Sequence, residues 1–124
     1  MSVTSKPTSS SGCPTLSTFG FLLSHVPPGL FRSFWRLVGE CLRPGGRVAF
    51  VDEDDRVAHY DDVYVADGVP IAPRRLGDGR AFEIVKVFWR PEDLTAKLRG
   101  LGWNVSVRRV GGSYLFGVGY SDYT

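Results

Sequence analysis

From Thr18 onward the chain alternates between short apolar runs and segments whose apolar residues recur every three or four positions. Phe19 to Leu23 is an almost unbroken apolar run, which predicts a strand covered on both faces, as in a parallel sheet. Pro27 and Pro28 then suit a helix start, because the first helical residues need no N–H partner. The helix that follows puts Phe31, Phe34, Trp35, Val38, Cys41 and Leu42 on one stripe. Arg32, Ser33, Arg36, Glu40 and Arg43 take its other side, and Pro44-Gly45-Gly46 stops it. Val48 to Val51 reads as a second short strand ending on Asp52. Strand, helix and strand with so tight a return predict a parallel βαβ unit with a right-handed crossover.

Beyond Asp52 the pattern loosens. Residues 52 to 80 are acidic at first and then rich in turn signals, Ala66-Asp67-Gly68 and Gly77-Asp78-Gly79. Ala81 to Phe88 is β-prone. Pro91, Glu92 and Asp93 open a second helix, with acids placed well in its first turn and Leu94, Leu98 and Leu101 on its apolar face. Trp103 to Val110 and Ser113 to Tyr120, joined by Gly111-Gly112, predict a closing β-hairpin. The fold class is α/β.

Composition changes this picture mainly at the N-terminus. Met1 to Ser17 is rich in Ser, Thr and Pro, with only Val3 and Leu16 as sizeable apolar side chains, and is read as a disordered tail before a domain at 18–124. With 43% apolar residues in 124, the rest has enough to bury a core. A formal charge of +2 does not argue for nucleic acid or an anionic membrane. No apolar run approaches the roughly 18 residues of a membrane span, and no signal-peptide stretch precedes Pro14, so the cytoplasm is the expected location. Two cysteines, Cys13 and Cys41, cannot frame a zinc site, and Cys41 is expected as a buried, reduced thiol.

Several side-chain groups invite chemistry and are better explained as structure. Asp52-Glu53-Asp54-Asp55 lacks calcium-loop spacing and reads as a solvated acidic loop, and no metal site is expected. His59 near Asp61 and Asp62 reads as a surface residue. Lys86, three residues after Glu83, reads as a snorkelling strand lysine. Arg74, Arg75, Arg80, Arg108 and Arg109 are interleaved with acids, unlike a nucleic-acid surface. The glycine pairs Gly77/Gly79 and Gly117/Gly119 do not sit between a strand and a helix, as a phosphate loop requires.

The segments His25-Val26-Pro27, Phe34-Trp35, Leu42-Arg43-Pro44-Gly45-Gly46-Arg47 and the strand ending in Asp52 resemble class I S-adenosylmethionine-dependent methyltransferases. Arg75-Leu76-Gly77-Asp78-Gly79-Arg80, Ile84-Val85-Lys86-Val87-Phe88 and Leu101-Gly102-Trp103 extend the resemblance over about residues 18–120. It implies a partial Rossmann-like sheet: a βαβ unit, a C-terminal helix and an antiparallel hairpin, lacking the N-terminal half with its Gly-rich cofactor loop. An unrelated tail running into the first strand is what a truncated or mis-started reading frame produces.

The resemblance also implies S-adenosylmethionine as cofactor and a small molecule as methyl acceptor. It puts the loop after the first strand beside the transferring methyl group, making Leu23 and Ser24 candidate cofactor contacts. His25 is then a candidate general base or substrate-orienting group; the alternative is that it caps the helix start or packs on Trp35. Asp52 and Glu53 become candidate substrate-pocket residues. Without the first half, activity of this chain alone is not expected. The run Phe19 to Leu23 would be an unpaired edge, available to self-association or to a partner, and the alternative function is a non-enzymatic interaction module that needs one.

Overall fold

The computed structural model describes residues 14–56 and 63–122. Its elements run β1 (Leu16–Gly20), two single 3-10 turns (Leu23–His25 and Pro28–Leu30), α1 (Phe31–Cys41), β2 (Arg47–Glu53), β3 (Tyr64–Ala66), β4 (Val69–Arg75), β5 (Ala81–Val85), α2 (Pro91–Gly100), β6 (Trp103–Val110) and β7 (Tyr114–Ser121). The main sheet has the order β1-β2-β7-β6. β1 and β2 are parallel, as the βαβ pattern predicts, and β7 is antiparallel to both of its neighbours. A smaller antiparallel sheet, β3-β4-β5, is inserted between β2 and α2.

The core lies between the main sheet and its helices. Trp35 of α1 is fully buried and meets Phe19 of β1, Phe50 of β2 and Trp103 of β6, with ring centroids 5.2–5.9 Å apart. Phe31 and Val38 extend the α1 stripe, and Leu94 and Leu98 do the same for α2. Gly117 faces this core from β7. A Cβ there would run into the ring of Phe50, so the position admits no side chain. Cys41, expected inside, is only half-buried at the helix end; Cys13 lies outside the described residues.

The first strand differs from expectation in three ways. It is shifted by three residues, to Leu16–Gly20, because Phe21 adopts a left-handed φ of 56° and Leu22 a helical one. Phe21 N–H still bonds Val51 O at 2.9 Å, and then the chain turns, carrying Leu23 into the core rather than along the sheet. The tail boundary also moves: Leu16 and Ser17 are strand residues, and the carbonyls of Pro14 and Thr15 accept from Arg43 and Arg47. Finally, β1 is covered on one face only among the described residues, with Ser17 and Phe19 buried but Leu16 53% exposed.

Pro27-Pro28 opens the second 3-10 turn, which runs directly into α1 at Phe31. The segment read as irregular contains two strands, β3 and β4, that the sequence hides. Pro70 and Pro73 argue against a central strand. β4 tolerates them because β3 pairs only with Val69–Ile71, leaving Pro73 flanked by β5 alone. No helix of the described residues is long and apolar enough to cross a membrane.

Candidate functional site

The parallel strands β1 and β2 end side by side, and open α/β sheets bind ligands at such carboxyl ends. β2 keeps its period of two beyond the apolar residues: Val48, Phe50 and Asp52 are buried, and Asp54 continues the series at 0% exposed. The acidic run is therefore not a solvated loop. Two of its four carboxylates are inside the molecule, and all four are engaged.

Asp52 Oδ2 accepts from the backbone N–H of Ser24, and Oδ1 from that of Glu53, both at 2.8 Å. This clamp fixes the turn after β1 against the end of β2. Glu53 pairs with Lys86 (Oε1 to Nζ 2.6 Å), whose side chain is 5% exposed. Lys86 lies just past β5 and does not snorkel to solvent; its partner is Glu53, not Glu83, and its ammonium also stands 5.3 Å from the ring centroid of Phe88. Asp54 accepts from the Arg56 backbone and from its Nε (2.6 Å), while Arg109 Nε approaches to 3.3 Å. Arg56 goes on to donate to the carbonyls of Gly111 and Tyr114 in the closing hairpin.

Asp55 accepts from Arg109 Nη2 at 2.7 Å, with Arg90 at 3.7 Å. Burial alone would raise the Asp55 pKa, but the hydrogen bond and charge of Arg109, helped by its own backbone and by Arg90, hold it below the ordinary carboxylate value. Arg109 is held correspondingly above its ordinary value, chiefly through the hydrogen bond it donates to Asp55.

The turn Leu23–His25 carries the remaining candidates. Leu23 is a core side chain, so only its backbone is available to a ligand. Ser24 is buried, its carbonyl accepts from Val87 N–H at 2.7 Å, and its hydroxyl has no hydrogen-bond partner among the described residues. His25 is exposed, and its Nδ1 lies 2.8 Å from the carbonyl of Val85. A carbonyl only accepts, so Nδ1 carries the proton and Nε2 of the neutral ring is left as an acceptor. His25 thus does not cap α1; its ring is anchored to the end of β5.

The structure therefore brings Leu23, Ser24, His25, Asp52 and Glu53 together at one end of the sheet and adds Lys86 to them. Of their polar atoms, both Asp52 oxygens and Glu53 Oε1 are engaged, Ser24 Oγ is buried with no hydrogen-bond partner among the described residues, and the His25 ring is at the surface. His59, Asp61 and Asp62 lie outside the described residues. Among the described residues no group of three or more His, Cys, Asp or Glu is placed to hold a metal ion. Gly117 and Gly119 are strand residues and Gly77 and Gly79 lie in the β4–β5 loop. Arg80 is paired with Asp78 at 2.7 Å.

No family model matches the chain, and no match is found among curated proteins. Solved structures do match. DhpI in complex with SAH is 34% identical, with a TM-score of 0.72 over 93% of this chain and 52% of DhpI. DhpI with SAM and HEP is 37% identical, TM-score 0.72, over 89% of this chain and 53% of that one. An S-adenosylmethionine-dependent methyltransferase from Clostridium acetobutylicum ATCC 824 shares the fold at 14% identity, TM-score 0.60, over 89% of this chain and 59% of that one. The chain spans about half the length of DhpI. From its parallel βαβ unit to its closing antiparallel pair, it has the fold of the class I S-adenosylmethionine-dependent methyltransferases and carries part of it.

Proposed function

We propose that this chain forms part of a methyl-transfer site, with S-adenosylmethionine as donor and a small molecule as acceptor, in the cytoplasm. The observation that carries this reading is the 34–37% identity to DhpI, itself solved with SAH and with SAM, over about nine-tenths of the chain. Methyl transfer needs donor and acceptor held in line, and most of its rate comes from that orientation. The Asp52–Ser24 clamp holds the turn that would face the reacting centre. In this reading Ser24 Oγ and the Leu23 backbone contact the cofactor, and His25 Nε2 takes the acceptor's proton or orients it. Glu53, with Lys86, borders the acceptor, and Asp52 acts through Ser24.

Calorimetric titration of the folded chain with S-adenosylhomocysteine tests the proposal. Saturable heat, a melting temperature that rises with ligand and weaker binding by Ser24→Ala are expected. A folded chain without binding at millimolar ligand would sink a cofactor site formed by this chain alone and leave the partner-dependent reading below.

One observation favours a second reading, an interaction module that needs a partner. β1 is the edge of the main sheet among the described residues, and no Lys, Pro or bulge guards it. Leu16 and Phe21 are half-exposed beside it. On this reading β1 pairs with a second copy or another chain. Thr18→Lys, which puts a charge on the exposed side of the edge, should then lower the mass seen by analytical ultracentrifugation. A wild-type chain that sediments as a monomer and captures no strand removes this alternative.

A further inference from the structure

The main sheet has two unlike faces. The helices α1 and α2 pack their apolar stripes on one of them. The other is uncovered among the described residues. At its centre Ala49 and Val51 of β2 lie in register with Val118 and Phe116 of β7. Toward β1 the face continues in Thr18 and Gly20, whose small side chains leave a shallow trough beside Val51 and Phe116. Leu16 stands exposed at one end of the β1 side. At the other end Phe21 and Tyr114, both exposed, meet edge to face with centroids 5.9 Å apart. Phe21 reaches this position through its left-handed φ of 56°, a state that strains any residue with a side chain, yet half of its surface stays in water.

The face is also lopsided. On its β6 side it is finished for solvent: Asn104, Ser106 and Arg108 stand opposite Tyr120, Val118 and Phe116, and Arg108 lies over the Phe116 ring at 5.8 Å. On its β1 side it is apolar up to an unguarded strand edge. We propose that the β1–β2–β7 part of this face and the β1 edge form one continuous docking surface. Its occupant is a polypeptide carrying the other half of the methyltransferase fold, with a strand that adds to β1 and helices that lie on the trough. This rests on the fold relation and the partner-dependent reading above, and gives that reading its surface and its partner.

Parallel strands are stable in layers covered on both faces, and the crossover helices that join them supply the cover. A second copy of this chain does not do this. Pairing β1 with β1 extends the sheet and leaves both faces open, while stacking face on face leaves both edges open. A strand with its crossover helices closes edge and face together. The solved relative contains the required amount of chain, since about half of DhpI lies outside the match.

Co-expression of the full chain with the segment of DhpI outside the match, read by analytical ultracentrifugation, tests this. A soluble one-to-one complex is expected. Val118→Lys, at a position already exposed, should keep the fold and weaken the complex about tenfold or more, because docking would bury the charge. Leu16→Lys should do the same from the edge, and carries the test should the first variant not fold. Ser106→Lys, opposite Val118 on the polar side, should leave the complex intact. The complex is assembled without ligand, so S-adenosylhomocysteine added afterwards tests methyl transfer separately. The docking surface is overturned by the absence of a soluble complex, by a complex that Val118→Lys and Leu16→Lys leave unchanged, or by one that Ser106→Lys weakens equally. A chain that instead forms dimers, lost on Val118→Lys, makes a second copy the occupant and also overturns it.

Discussion

Replacing Asp52 by alanine should loosen the turn that carries Ser24 and His25 and destabilise the whole chain. The wild-type carboxylate is 3% exposed and accepts from two backbone N–H groups at 2.8 Å. Alanine leaves both donors without a protein acceptor. A buried donor stranded in this way costs about 1–3 kcal/mol. Ser24 is fully buried and should incur the upper part of that range, while Glu53 N–H, nearer to solvent, regains water and costs less. The sum is about 3–4 kcal/mol, a large share of the ~5–15 kcal/mol that holds a typical domain together. Asp52→Asn keeps one acceptor oxygen but turns an NH2 toward the other donor, and should cost about 2 kcal/mol. Urea unfolding with an unchanged m-value reads these losses. Hydrogen exchange reads the cause: the Ser24 amide, protected by a side chain rather than by a sheet ladder, should exchange much faster in both variants than its neighbours do. A loss below about 1 kcal/mol for the alanine variant, or an unchanged Ser24 exchange rate, would refute the clamp.

The other carboxylates of the run give separate expectations. Glu53→Gln leaves the Lys86 ammonium buried without its counter-charge and should cost about 2–3 kcal/mol, whereas Lys86→Met with Glu53→Gln together should recover much of that loss; thermal melts of the single and double variants decide. Asp55 has a folded pKa below its ordinary 3.8, so the stability it adds is fully present above that value and is lost as pH falls through the folded one. The melting temperatures of wild type and Asp55→Asn should therefore differ near neutrality and converge in acid; a constant gap would show that the Arg109 pairing is not its source. Gly117→Ala drives a methyl into the Phe50 ring and should cost about 2–3 kcal/mol by chemical denaturation, while Gly112→Ala, with open space around it, should be near neutral.

Much of the fold is legible in the sequence because each of its principal elements keeps one period throughout. α1 holds Phe31, Trp35 and Val38 at helical spacing, and α2 does the same with Leu94 and Leu98. The closing hairpin is flagged by two β-prone runs around Gly111-Gly112, and the β1–α1–β2 crossover follows from the tight return at Gly45-Gly46. The failures occur where the pattern carries no period. In the run Phe19-Gly20-Phe21-Leu22-Leu23 every position is apolar or glycine, so nothing marks where the strand ends and the turn begins. β3 and β4 are hidden for another reason. Their strand character comes from pairing with each other and with β5, and the two prolines of β4 contradict it locally.

The site is harder to read because charge ordinarily signals exposure, and here the period of the strand outweighs it. Val48, Phe50, Asp52 and Asp54 occupy one face of β2 without interruption, so the two aspartates are buried by the same alternation that buries the valine and the phenylalanine. Burying them is tolerable only because each finds partners on another element. Asp52 holds the turn after β1, Glu53 holds the chain after β5 through Lys86, and Asp54 reaches the closing hairpin through Arg56 and Arg109. Asp55 adds Arg90, at the entrance to α2. Four consecutive acids thus join four separate segments to one strand end, which is why that end has a defined shape at all. They act there as structural ties: Asp52 holds the turn that carries Ser24 and His25, and Glu53 holds Lys86. The sequence displays the acids prominently and hides their role, because the strand period buries two of them and the partners that hold all four lie on other elements.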